Sequence, residues 1–392
     1  MLAKPRVLII DDKSDDERIR VGELDPQVDA VVQHPQDVTE YDLQSADLVL
    51  VDYRIEYWPE RDNASSISLK PVNGLALADV LREQVHADGL PSRPIAFGLR
   101  SGYLRDLSGD LPPQEREHAI ARAHNLEWVF PKKEASWDVP VVRQIVSLAQ
   151  AVQQLPVEWP QGSPDATWAI VSKLLALAPV EPWMPSAQED VEACHPPVHE
   201  LRDASHGLVF LRWLLHLILP YPCFLWGTHH LAARLRVTHE SLSKALSEDN
   251  DLMTLLDHVR YTGILADFLG PRWWRSGTES LVWELTDGDP FDVHRLVSIL
   301  ASKTSAELQT TEFMEPVVCV GHNHVPLATL SRIEDAVRIQ PDDWPPYADQ
   351  AWTTIELADQ DPSLGALVIS HDRHRLKSAL PSVPLSDSPE SS

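Results

Sequence analysis

Two short apolar runs in this chain end on acids. Val7-Leu8-Ile9-Ile10 runs into Asp11-Asp12, and Leu48-Val49-Leu50-Val51 runs into Asp52. Each run is continuous and rich in β-branched residues, the pattern of a strand buried on both faces of a parallel sheet. Ligands in such sheets collect outside the carboxyl ends of the strands. Three carboxylates at two such ends would share a small space, repel one another and titrate high. A hard divalent cation relieves that repulsion, and Mg²⁺ takes oxygen ligands. The runs therefore point to an acidic Mg²⁺ pocket in which one aspartate is left free to act as a nucleophile.

Two further segments extend the pattern. Pro94-Ile95-Ala96-Phe97-Gly98-Leu99-Arg100 leads into Ser101-Gly102, and Glu127-Trp128-Val129-Phe130-Pro131 leads into Lys132-Lys133. Two acids, one acid, a small hydroxyl with Gly, then Lys, each after a strand-like run, resemble the receiver domain of two-component response regulators. The resemblance covers residues 4 to about 150. It implies a flavodoxin-like, doubly wound α/β domain with a parallel five-stranded sheet. It also implies that Asp11, Asp12, Asp52 and the backbone carbonyl of Arg54 hold Mg²⁺. Asp52 would take a phosphoryl group from a sensor histidine kinase or a histidine phosphotransfer protein. Lys132 would neutralise the phosphoryl oxygens, and Ser101 would hydrogen-bond the new phosphate. Counting from Glu127 favours Lys132 over Lys133 as the site lysine.

The chain departs from the family pattern in places. Asp52 to Gly74 spans 22 positions, an enlargement that puts the polar stretch Glu56 to Pro71 beside the site. Ser101 to Lys132 spans 31 positions, also long for the family. Leu99 stands where a shorter strand would place the hydroxyl. Val129, not an aromatic, lies three before Lys132. These changes affect the face built on the fourth and fifth strands, which the family uses for signalling.

The 392 residues suffice for two or three domains, and 43% are hydrophobic. Net charge is −26. Residues 1–150 hold 17 basic and 26 acidic residues (−9), and the remainder hold 16 and 33 (−17). Neither part offers the basic surface on which non-specific nucleic-acid binding rests. The three cysteines, Cys194, Cys223 and Cys319, make no disulfide framework and fit a reducing compartment. The start of the chain runs directly into a strand without a signal-peptide pattern. The longest apolar stretch, Leu208 to Leu219, contains Arg212 and His216 and is too short to span a bilayer. A cytoplasmic protein with no membrane partner is expected.

The segmentation that follows is a receiver domain over 1–152, closed by a helix near 141–151. A linker with a connecting helix covers 153–205, and loop is expected at 178–200. A mainly helical output domain fills 206–380, with apolar helical periods at 208–219, 229–236, 239–246, 251–269 and 291–301. Strand-like pieces at Val317–Val320 and Ala366–Ile369 give it an α+β end. The Ser/Pro-rich tail 381–392 reads as disordered. The output is expected to act by contact with an unidentified protein target.

Two alternatives attach to this half. Residues 228–246 resemble a helix-turn-helix with Thr238 capping the second helix. Arg234, Arg236 and Lys244 would touch phosphates, and His239, Ser241 and Ser243 would face a groove, making the chain a DNA-binding regulator. Against this stand Arg236 at the turn position usual for Gly and the acids Glu240, Glu248, Asp249 and Asp251. The second alternative is an enzyme site using His322, His324 and His371. Cys194, His195 and His199, with Cys319, His322 and His324, offer two zinc half-sites of no standard spacing. Trp273-Trp274 reads either as an interface anchor or as core under arginine stems.

Overall fold

The computed structural model describes residues 3–24, 27–58, 70–87, 93–102, 107, 116–132, 138–161, 163–177, 180–203, 207–305 and 307–379. Lys133, the middle of the enlarged loop (59–69) and the tail at 381–392 lie outside these. The chain forms two compact units, Met1–Gly227 with Leu256–Leu281, and Thr228–Leu255 with Val282–Ser392.

In the first unit, five parallel strands alternate with helices: β1 (Arg6–Ile10), α1 (Ser14–Arg20), β2 (Asp29–Gln33), α2 (Glu40–Ser45), β3 (Leu48–Asp52), α3 (Gly74–Ala87), β4 (Ala96–Ser101), α4 (Glu117–Ala123), β5 (Trp128–Pro131) and α5 (Val139–Gln154). The sheet order is β2-β1-β3-β4-β5, the flavodoxin-like doubly wound arrangement. Leu8, Ile10, Val49, Val51, Phe97, Leu99 and Val129 point to one face and pack with Leu43, Leu77, Ala78, Ile120 and Ala121. Val7, Ile9, Leu48, Leu50 and Phe130, on the other face, are equally buried. Burial on both faces is the reason the strands read as unbroken apolar runs. Helix α5 buries Val141, Ile145, Leu148, Ala149 and Val152, a stripe at helical spacing that closes the fold over the sheet.

The same unit continues through α6 (Pro164–Leu174), α7 (Met184–Ala193), α8 (Val198–Asp203) and α9 (Leu208–Trp213), which runs into a π-helical turn at Leu214–Ile218. The loop expected at 178–200 is thus interrupted by α7: Pro185 sits in its first turn, where a missing N–H costs nothing. A short antiparallel pair, β6 (Leu225–Trp226) and β7 (Trp273–Trp274), follows. Trp273 and Trp274 are 1% and 2% exposed. Trp274 lies against Phe224 and Tyr261 at ring separations of 5.7 and 5.5 Å. The pair is core.

This added layer grips the edge of the sheet. Arg212 Nε and Nη2 reach Glu127 Oε1 at 2.7 and 2.6 Å. The Trp128 and Phe268 rings meet edge to face at 4.9 Å, and His118 contacts Tyr221.

The second unit contains α10 (Thr228–Leu235) and α11 (His239–Glu248), joined by a turn in which Arg236 has φ +59°. Helix α12 (Asn250–Asp257) stops well short of the 251–269 period. Residues 258–269, which belong to the first unit, turn instead, and Tyr261 Oη donates to the Ile264 carbonyl. Helices α13 (Arg275–Leu285) and α14 (Val293–Lys303) lead to the short strands β8 (Pro316–Val317), β9 (Ser331–Arg332), β10 (Ala336–Arg338) and β11 (Trp352–Thr354). Three short helices follow, α15 (Ile355–Gln360), α16 (Pro362–Leu367) and α17 (Arg373–Ala379). Of the strand expected at Ala366–Ile369, Ala366 and Leu367 end α16, which Asp361 caps and Pro362 starts, and only Val368 keeps a β-bridge, to Ile339. Val320, Val337, Ile339, Ala351, Ala358, Leu364 and Val368 form the core here. Among the described residues no helix is long and apolar enough to cross a membrane.

Candidate functional site

The parallel sheet delivers Asp11 and Asp12 from the end of β1, Asp52 from β3, Ser101 from β4 and Lys132 just past β5. All five line one cavity of about 580 Å³, as do Arg54 and Glu17. Carboxylate oxygens of Asp11, Asp12 and Asp52 lie within 4.8 Å of one another. Lys132 Nζ donates to Asp11 Oδ2 at 2.7 Å and lies 3.1 Å from Asp52 Oδ1. Asp11 Oδ1 accepts the Lys13 N–H at 2.8 Å. Asp12 Oδ2 accepts the N–H groups of Glu56 and Tyr57 at 2.6 and 2.8 Å.

The electrostatics follow from this crowding. Burial pushes the Asp52 carboxyl up; Lys132 pulls it down, Asp11 and Asp12 push it up again, and it settles at about 6. Burial would lower the Lys132 ammonium, but Asp52 and Asp11 more than offset this and hold it above its ordinary value. The donor set is all oxygen and carries more negative than positive charge. These residues fit a hard cation such as Mg²⁺ and suit zinc less.

The enlarged loop after Asp52 is pinched shut at its base. Arg54 bridges Asn73, Ile55 N–H donates to the Val72 carbonyl, and Gly74 N–H donates to the Tyr53 carbonyl at 2.8 Å. A Cβ on Gly74 would stand 2.0 Å from the Asp52 carbonyl oxygen, so only glycine permits this return. Trp58 Nε1 donates to the Pro71 carbonyl at 2.7 Å. The base of the loop is thus closed next to Asp52.

Strand β4 holds a feature the sequence reading did not identify. Arg100 is in register with Asp52, so by strand alternation both point to the same face. It is buried in an ion pair with Glu17 of α1. Ser101 belongs to the other face by alternation and lines the cavity from the strand's end, 1% exposed. The signal available in the sequence was a lone arginine inside an apolar run, which demands a buried acid.

The other candidate residues do not assemble. The acidic triad is the group of three metal-ligand side chains found close together among the described residues. His322 Nδ1 is 3.0 Å from Asp361, His324 lies beside Asp343 and Trp344, and the His371 carbonyl accepts from His374. The α10–α11 pair is present, but its groove-facing candidates are engaged within the unit. His239 stacks on His229 at 3.5 Å and bonds Ser243, while Ser241 bonds Thr238 and Gln309. No protein-family model matches this chain, and no curated protein or solved structure matches it.

Proposed function

We propose that residues 1–152 are a response-regulator receiver domain that accepts a phosphoryl group on Asp52. The observation that carries this reading is Lys132 Nζ lying between Asp11 and Asp52 at the carboxyl ends of a β2-β1-β3-β4-β5 sheet. Asp52 Oδ attacks the phosphorus of a phosphohistidine on a kinase or phosphotransfer partner. The P–N bond breaks, an aspartyl P–O bond forms, and the imidazole leaves with the electron pair and takes a proton. Lys132 neutralises charge on the transferring oxygens from a position it already holds. Asp11, Asp12, Asp52 and the Arg54 carbonyl would hold Mg²⁺, which when bound supplies the remaining charge neutralisation.

The phosphoryl group adds roughly two negative charges at the strand ends. The remainder of the chain acts as the output and works through protein contact. Its layer of residues 207–227 and 256–281 already covers β5, so docking of a separate partner on that edge is not the means of signalling.

Incubation with acetyl phosphate and Mg²⁺, followed by intact mass, tests the reading. One added phosphoryl group on the wild type and none on Asp52→Ala is expected. No addition, or an undiminished addition to the variant, overturns it.

A further inference from the structure

At the end of the sheet away from Asp52, the first unit contains an open cleft of about 900 Å³, within the size range of small-molecule sites. We infer that this cleft binds a small aromatic molecule that carries an N–H or O–H donor and no more than one net negative charge.

His216, presented by the π-helical turn, lines the cleft; such turns concentrate at functional sites. Its residue is 5% exposed. Nε2 lies 2.9 Å from the Glu127 carbonyl oxygen. A carbonyl only accepts, so Nε2 carries the proton and Nδ1 carries a lone pair. Nδ1 has no hydrogen-bond partner among the described residues. Burial lowers the imidazole's pKa; the Glu127 carbonyl and carboxylate pull it back up, the Arg212 and Arg122 charges push it down again, and the net direction is down, toward the neutral ring. Nδ1 thus remains an acceptor that the described residues leave open, available to a donor that enters the cleft.

The walls say what surrounds that donor. Trp168, Trp213, Pro196 and Pro197 give flat apolar surface. Trp213 is fixed by its indole N–H, which donates to the Cys194 carbonyl at 3.0 Å. An aromatic body matches these faces. The Arg122 guanidinium makes no hydrogen bond or ion pair among the described residues and can receive one carboxylate, whereas Arg212 is engaged by Glu127. Asp165, Glu192 and Glu200 on the rim repel a polyanion.

The test uses the full chain and matched probes followed by calorimetry: indole carboxylate against its N-methyl analogue, and hydroxybenzoate against its O-methyl analogue, with ATP as the polyanion. Saturable binding of at least one donor probe is expected, weakened about tenfold by methylation. His216→Gln separates binding from folding. The glutamine amide nitrogen reaches the Nε2 position and still donates to Glu127, but the acceptor at Nδ1 is gone. It should weaken the donor probe about tenfold and leave the methylated one unchanged. Arg122→Ala, on the surface, should weaken both carboxylates. Failure of both donor probes, equal binding of a methylated analogue, unchanged binding in His216→Gln, or ATP binding as tightly as the donors overturns the inference.

Discussion

Arg100, the strand neighbour of Asp52, is buried in an ion pair with Glu17. The residues are 3% and 2% exposed. The pair ties α1, which follows the Asp11-Asp12 turn, to the strand that ends at Ser101, and so joins two sides of the cavity. Removing one partner strands a buried charge. Arg100→Leu or Glu17→Leu should each destabilise the first unit by about 3–5 kcal/mol, while the double apolar replacement should recover much of the loss. Denaturant unfolding of the three variants checks this; equal losses in singles and double would show that the pair has no such coupling.

Most of the sheet was legible in the sequence, because strands buried on both faces leave continuous apolar runs with chemistry at their ends. Asp11, Asp12, Asp52, Ser101 and Lys132 were legible for the same reason. Counting from Glu127 favours Lys132 over Lys133, and the Lys132 ammonium does lie against Asp11 and Asp52. The Glu17–Arg100 and Glu127–Arg212 pairs span 83 and 85 positions and leave no local periodicity. Helix α7 was hidden by Pro185, which reads as a breaker but begins a helix. The end of the 251–269 period was hidden because Ile264, Leu265 and Phe268 are buried in turns as thoroughly as helical residues would be.

Asp52 yields a pH prediction. Its folded pKa of about 6 lies above the ordinary 3.8. The sign is unusual for a carboxyl: the stabilising form is the protonated one, fully present below the unfolded value and lost as pH rises through about 6. Without divalent cations, Asp52→Asn should therefore be more stable than the wild type at pH 8, by on the order of 1–3 kcal/mol, and the gain should vanish near pH 4. Mg²⁺ should raise the wild-type Tm more at pH 8 than at pH 5, because the proton competes with the cation, and should do little for Asp52→Asn. A pH-independent Mg²⁺ effect of equal size in the variant would refute this.

The lysine assignment is separable by phosphotransfer rate. Lys132→Ala removes the cation 3.1 Å from Asp52 and should slow acetyl-phosphate-driven phosphorylation by about a hundredfold or more. Lys133→Ala should stay within about twofold of the wild type, because Lys132 already supplies the cation at Asp11 and Asp52. The reverse ranking would move the catalytic role one residue along the chain.

Asp372 gives the second unit its own acid response. Its carboxylate accepts the Arg338 Nε and Nη2 hydrogens at 2.9 and 2.7 Å and the Arg338 backbone N–H at 2.9 Å. These bonds hold its pKa at about 2, below the ordinary 3.8. A depressed carboxyl contributes stability above its unfolded pKa and loses it as pH falls toward the folded one. The bonds fasten α17 to β10, so their loss should release the end of the unit first. Asp372→Asn keeps the shape and removes the charge; it should lower the Tm of the second unit at pH 7, and the gap to wild type should close between pH 4 and pH 2. Hydrogen exchange should show the difference first at residues 373–379 and 336–338. A gap that persists unchanged at pH 2 would mean that shape, not the ionised pair with Arg338, is what the aspartate provides.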